Sequence, residues 1–237
     1  MHDPHDAAKA AAARAAVARY VRPGMRLALG TGSTTAHAVR SLRAAYPEER
    51  FDCVASSVAT ERLASSLGLA VRPLRGEDRF DLMLDGADEV TPNLELTKGG
   101  GGALLREKLL AGLSSRLVVV VDDSKLVARL GERAAIPVEV VPFARPVVAH
   151  ALSAAGLNPR LRAAPDGEPY RTDNGNEVLD LRPERPVDAP EELDRRLHGT
   201  VGVVETGLFV GFADRAVVAS ADGSVREIAR PPVPGRP

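Results

Sequence analysis

The sequence predicts an α/β fold: a Rossmann-like core built on a parallel sheet, with a smaller α+β domain inserted before the C-terminal strands. Three observations carry this. From residue 7 to residue 121, short apolar runs alternate with helix-length segments, the pattern of βαβ units whose sheet is covered on both faces. After Gly131 the texture changes to proline-bounded strands such as Pro137-Val138-Glu139-Val140-Val141-Pro142-Phe143. Near the C-terminus two apolar runs flank Ala221-Asp222-Gly223, a hairpin signal. The expected division is a core of residues 1–133 and 208–237, and a smaller unit of residues 134–207.

Each element follows from local sequence. Residues 7–21 form an Ala-rich helix that Pro23-Gly24 stops. Residues 26–30 are a short strand, and Thr31-Gly32-Ser33-Thr34 turn into a helix over 35–45. A strand over 51–55 leads through Ser56-Ser57 to a helix over 59–67, and 69–74 are strand-like. Residues 80–84 are apolar and end in Asp85; a helix over 102–113 precedes the Val-rich strand 117–121. In the smaller unit, strands over 137–143, 161–163, 177–180 and 201–205 accompany helices over 147–155 and near 191–197. Residues 216–220 and 224–228 form a closing hairpin that returns to the first sheet. Residues 231–237 are a Pro-rich tail expected to lack order.

Composition narrows the function. The chain has 237 residues, 44% hydrophobic and only 3% aromatic with no Trp, so Ala, Val and Leu must build the core. A net charge of −1 with both signs interspersed argues against nucleic-acid binding. Cys53 is the single cysteine, which excludes an intrachain disulfide and a cysteine zinc site. The N-terminal stretch lacks an apolar signal core, and the longest apolar run is too short for a bilayer; a cytoplasmic protein without a membrane partner is expected. Of 31 Lys plus Arg, four are Lys: Lys9, Lys98, Lys108 and Lys125. Against such a drift to Arg, a retained lysine points to a need for a compact ammonium.

The densest chemistry is Lys98-Gly99-Gly100-Gly101-Gly102, followed by a helix carrying Glu107 about one turn in. Glycine costs regular structure roughly 0.5–1 kcal/mol relative to alanine, so four in succession mark a close backbone approach. Bare N–H groups at a helix mouth suit an anion. In open parallel sheets ligands bind beyond the carboxyl ends of the strands. There stand Gly30-Thr31-Gly32-Ser33-Thr34, Ser56-Ser57, Asp85-Gly86-Ala87-Asp88-Glu89 and Asp122-Asp123-Ser124-Lys125. The first is no dinucleotide loop, because Thr35 replaces the third Gly and the next strand ends in serines. It reads either as an N-capping turn or as a seat for a phosphate monoester. Asp85 and Asp88 read as turn caps or as a Mg²⁺ site. The Asp122 segment reads as a helix cap. Glu107 alone reads as a solvated helix residue, and His37 and His150 show no partner pattern.

Taken in order, these motifs resemble the type A ribose-5-phosphate isomerase family. The likeness continues in the 137–144 strand, in Thr172-Asp173-Asn174-Gly175-Asn176 and in Gly207-Leu208-Phe209, and runs from about Tyr20 to Ile228. It implies an aldose–ketose isomerase of the non-oxidative pentose phosphate pathway. Such an enzyme interconverts D-ribose 5-phosphate and D-ribulose 5-phosphate through a cis-enediolate, with no metal and no organic cofactor. The likeness implies Glu107 as proton acceptor and Lys98 facing the enediolate. Asp85 then serves proton transfer in ring opening, and Asp88 holds sugar hydroxyls or Lys98. Thr31, Gly32, Ser33, Thr34 and Lys125 bind phosphate, with Gly86, Ala87, Gly99, Gly100 and Gly101 completing the substrate site. The 134–207 unit becomes a lid and subunit-contact domain of a homodimer or larger homo-oligomer. Lys9, in a loosely aligned helix, is left out of the site. Two other classes compete: a sugar-phosphate sensor without turnover, and a Mg²⁺-dependent phosphatase using Asp85 and Asp88.

Overall fold

A computed structural model describes residues 5–230; the Pro-rich tail expected over 231–237 lies outside them. The chain runs α1 (Asp6–Tyr20), β1 (Arg26–Leu29), α2 (Ser33–Ala45), β2 (Asp52–Ala55), α3 (Val58–Ser66) and β3 (Leu82–Asp85). Two short strands, β4 (Glu89–Val90) and β5 (Leu96–Thr97), precede α4 (Leu104–Gly112), β6 (Leu117–Asp122) and a 3-10 turn, Asp123–Lys125. Then come β7 (Ile136–Val140), α5 (Arg145–Ala154), β8 (Pro159–Leu161), β9 (Glu177–Leu181), α6 (Pro190–His198) and β10 (Val203–Thr206). The last strands are β11 (Leu208–Phe209), β12 (Ala213–Ala219) and β13 (Val225–Ala229).

The large sheet has the order β13-β12-β6-β3-β1-β2, and every neighbouring pair is parallel except β12–β13. Alternate side chains of each strand point to opposite faces. Leu27, Leu29, Leu82, Leu84, Val118 and Val120 face α1 and α2, while Ala28, Met83, Val119 and Val121 pack with Leu110 of α4 and Phe209. The alanines of α1 have their use here. Ala8, Ala12, Ala13 and Ala16 are all buried, and their small side chains let the helix lie close to its neighbours. A second, antiparallel sheet, β10-β7-β9-β8, builds its own core with α5 and α6 from Val138, Val140, Leu179, Leu181, Val148 and Leu197. A third, β11-β5-β4, joins residues 89–97 to 208–209.

The returning hairpin forms as expected: β12 pairs with β6 in parallel and with β13 in antiparallel. The 69–74 segment does not form a strand. Only Val71 bridges Cys53, and the following Pro73 has no N–H to extend the ladder. The strand expected over 137–143 ends at Val140, because Val141 to Ala144 turn directly into α5. The two-residue strands β4, β5 and β11 carry no periodicity and were not foreseen. Among the described residues, no helix is long and apolar enough to cross a membrane.

Leu42 is fully buried against α1 and the sheet, toward the far end of the helix that begins with Ser33 and Thr34. Leu42→Ala is expected to lower unfolding free energy by about 2–5 kcal/mol without changing ligand affinity of the folded protein. Urea denaturation beside a binding titration checks both.

Candidate active site

The C-terminal end of β1 turns at Gly30, where a Cβ would overlap the carboxylate of Asp85. Asp85, the last residue of β3, organises this turn. Its Oδ1 accepts from Thr31 N (3.0 Å), Gly86 N (2.8 Å) and Thr35 Oγ1 (3.2 Å). Thr31 Oγ1 is in turn hydrogen-bonded to Ser56 Oγ at 2.7 Å, and Ser57 caps α3 through Thr60 N. The turn therefore presents the start of α2, with Gly32 as N-cap and Ser33 and Thr34 in the first turn. The helix starts two residues earlier than its apolar pattern suggests. A helix N-terminus with free hydroxyls is a ready anion site.

Lys98 enters the same edge from β5. Its Nζ lies 2.8 Å from Asp85 Oδ2 and 3.3 Å from Glu107 Oε2, and donates to Gly86 O at 2.7 Å. These three side chains are at most 4% exposed. Apart from the Lys98 ion pair, Glu107 Oε2 has no hydrogen-bond partner among the described residues. Burial pushes the Glu107 carboxyl up to about 8, opposed by the Lys98 ammonium and reinforced by the charge of Asp85. Burial pulls Lys98 the other way, but Asp85 and Glu107 overcome it and leave its pKa raised. The result is a fixed cation beside a carboxyl group poised to exchange a proton near neutrality. That pairing suits proton abstraction next to a developing oxyanion.

The glycine run closes the cleft. Gly100 N donates to Asp88 Oδ2 at 2.8 Å. Gly102 has φ +78° and no room for a Cβ, which would overlap Tyr170. One cleft is lined by Thr31, Gly32, Ser33, Thr34, Gly86, Ala87, Asp88, Lys98, Gly99, Gly100, Gly101, Glu107 and Lys125. Every expected site residue is there except Asp85, which lies directly behind Lys98. The cleft also takes Lys9 from α1, a residue the sequence reading set aside. Lys9 is buried on a helix whose alanines hide its inward face, so no amphipathic pattern marked it. The fourth lysine, Lys108, binds Glu205 Oε1 at 2.6 Å and ties α4 to β10.

Other expectations resolve structurally. Asp122 caps the 3-10 turn through Ser124 N. Glu89 is fully buried and accepts from the backbone N–H groups of Gly131, Arg133 and Ala134, so it shapes a loop rather than the cleft. Glu139 gathers Thr172, Asn174 and Asn176, which explains that motif. The Asp173 that it exposes accepts from Val58 N at the start of α3. The Mg²⁺ reading of Asp85 and Asp88 meets an obstacle: the Lys98 ammonium already occupies the inner oxygen of Asp85.

The chain matches the family model described as ribose 5-phosphate isomerase A (phosphoriboisomerase A) over residues 52–223. The ribose-5-phosphate isomerase A of Deinococcus radiodurans is 45% identical over 228 residues, covering 95% of this chain and 99% of its own. That of Chloroflexus aurantiacus is 47% identical over 218 residues, covering 91% and 90%. Among solved structures, ribose 5-phosphate isomerase A of Methanocaldococcus jannaschii superposes with a TM-score of 0.88 at 36% identity, covering 95% and 99% of the two chains. A D-ribose-5-phosphate isomerase in complex with phospho-erythronic acid gives 0.88 at 32% identity, covering 97% and 100%.

The electrostatics set the sign of two titrations. Lys98 holds the Glu107 pKa down and Asp85 holds it up. The Glu107 carboxyl signal in carbon-13 NMR is expected to titrate near 8, higher in Lys98→Met and lower in Asp85→Asn. Identical midpoints in all three proteins would contradict the coupling.

Proposed function

The chain belongs to the ribose 5-phosphate isomerase A family, and we propose how its cleft carries out the interconversion of D-ribose 5-phosphate and D-ribulose 5-phosphate. One observation carries the reading: a buried carboxyl group, Glu107, whose ion-pair partner among the described residues is the Lys98 ammonium and whose pKa burial raises, opens onto a cleft whose opposite end is a helix N-terminus. The phosphate dianion sits at that end, against Ser33, Thr34, Lys9 and Lys125. The sugar then extends toward the glycine run, with C1 and C2 at Glu107.

Glu107 as carboxylate takes the C2 proton and returns it to C1, while the O2 proton passes across the cis-enediolate to O1, so that O1 ends as a hydroxyl and O2 as the ketone oxygen. A positioned base of this kind contributes roughly 10²–10⁴-fold. As electrons move onto the carbonyl oxygen, the Lys98 ammonium and glycine-loop N–H groups oppose the negative charge of the enediolate. Asp85 keeps Lys98 charged and aimed. Its oxygens are already engaged by Lys98, Thr31, Thr35 and Gly86. We place ring opening, expected at Asp85, on Asp88 instead, because Asp88 lines the cleft and Asp85 does not. Asp88 shuttles a proton from the anomeric hydroxyl to the ring oxygen. No step calls for a metal or an organic cofactor.

Residues 1–133 with 208–237 act as the catalytic core and 134–207 as its lid. Phe143, Val147 and Val201 of the smaller unit are 95%, 73% and 94% exposed, which supports a homodimer or larger homo-oligomer. The protein works in the cytoplasm.

Turnover of ribose 5-phosphate is expected to persist in excess EDTA. Glu107→Gln should lower kcat by about 10²–10⁴-fold while inorganic phosphate still binds. Metal dependence, or phosphate release, would point to a phosphatase; binding without turnover in the wild type would point to a sensor. Lys125→Ala and Lys9→Ala should each raise KM by roughly tenfold or more, since a charge-assisted hydrogen bond is worth about 1.5–3 kcal/mol, with kcat changing far less. An unchanged KM removes that lysine from the phosphate site.

A further inference from the structure

The glycine loop is gripped from outside by the smaller unit. Arg162, immediately after β8, forks onto Asp180 of β9, with Nε 2.9 Å from Oδ2 and Nη2 2.5 Å from Oδ1. Its remaining nitrogen, Nη1, donates to two successive carbonyls, Gly99 O at 2.9 Å and Gly100 O at 3.0 Å. Tyr170, whose ring lies 5.7 Å from the guanidinium carbon, donates its hydroxyl to Gly101 O at 3.1 Å. Three consecutive carbonyls are thus held by two side chains that do not line the substrate cleft.

A trans peptide points its C=O and its N–H in opposite directions. Holding a carbonyl outward therefore sets an N–H inward. The Gly99 carbonyl faces Arg162, and the N–H on the same peptide, that of Gly100, meets Asp88 Oδ2 at 2.8 Å. On the next peptide the Gly100 carbonyl faces Arg162, and its partner is the N–H of Gly101. That N–H has no acceptor among the described residues, and Gly101 lines the cleft. Within the run one backbone bond, from Gly102 N to Gly99 O at 2.9 Å, closes a turn around Gly100 and Gly101; the glycines have no side chains to hold it further, and Arg162 and Tyr170 clamp it from outside.

We propose that Arg162, braced by Asp180, is a positioning residue for the isomerisation: it presets the glycine-loop N–H groups that oppose the enediolate charge and hold Asp88. The inference rests on the isomerase reading above. Arg162 does not line the cleft; it acts through the loop. The geometry calls for arginine. Its planar fork serves a carboxylate and two carbonyls at once, which the single ammonium of a lysine does not.

The test compares Arg162→Lys, Arg162→Ala and Asp180→Asn with the wild type and Glu107→Gln. It reads kcat, KM, and the affinities for phospho-erythronic acid and for inorganic phosphate. The carboxylate of phospho-erythronic acid takes the place of the enediolate oxygens, whereas inorganic phosphate reports the other end of the cleft. Misaimed donors should lower kcat about ten- to a hundredfold in Arg162→Lys, below the roughly 10²–10³ seen when an oxyanion donor is removed outright. Affinity for phospho-erythronic acid should fall by a similar factor, with inorganic phosphate affinity within twofold of wild type. Asp180→Asn should show a smaller loss with the same split. If Arg162→Ala does not fold, the other two variants carry the test. A kcat within twofold of wild type in Arg162→Lys overturns the proposal, as does parallel loss of both affinities, the mark of a merely structural tie. A wild type without turnover would instead remove the isomerase reading, and this inference with it.

Discussion

Lys98 sits between two buried carboxylates, and the architecture of the cleft depends on that row of charges. A buried ammonium is tolerable only when paired and hydrogen-bonded, and here Asp85, Glu107 and the Gly86 carbonyl supply the partners. The three charged side chains come from different pieces of chain. Asp85 ends β3, Lys98 follows β5 and Glu107 lies in α4, so the ion row fixes where the central sheet, the small β4–β5 hairpin and the catalytic helix stand relative to one another. The other oxygen of Asp85 reaches across to Thr31 and Thr35, which extends the same constraint to the start of α2. The buried ion row and the start of α2 are thereby held in one frame.

Much of this was legible in the sequence because backbone demands leave marks. A glycine run, a Gly-Thr-Gly turn and an Asp-Gly step at a strand end are choices forced by close approach, and the cleft gathers all of them. What stayed hidden depends on direction. Asp85 and Asp88 are three residues apart and chemically identical, yet one faces Lys98 in the interior and the other the cleft; spacing alone does not separate them. Lys9 lies on a helix so rich in alanine that its buried side has no contrast with its exposed side. Glu89 looked like part of a catalytic motif, but it satisfies three backbone N–H groups. Arg162 gains its meaning only from carbonyls more than sixty positions upstream.

The smaller unit is built to touch the core at chosen points. Glu139, buried in β7, orders the loop around Thr172 and Asn176, and that loop delivers Asp173 to α3 and to Arg106 of α4. Lys108, the neighbour of Glu107, reaches Glu205 from the other side. Lys98 and Lys108 both lie over the ring of Phe209, at 5.4 and 5.0 Å from its centroid, so the residue that leads back to the core also packs beneath the charged row. Helix α4 and the residues around the second sheet are in this sense tied together at several points.

The place of β12 bears on how the molecule is made. It lies between β6 and β13, while every residue that lines the cleft is at position 125 or earlier. A ribosome has therefore made every cleft-lining residue long before the strand that covers the β6 edge emerges. Until then Leu117-Val118-Val119-Val120-Val121 is an apolar, β-branched edge with one side unpaired, the kind of segment that recruits a strand from another chain. Residues 213–219, which do not line the cleft, cover that edge in the finished chain, so their arrival withdraws it from pairing with another chain.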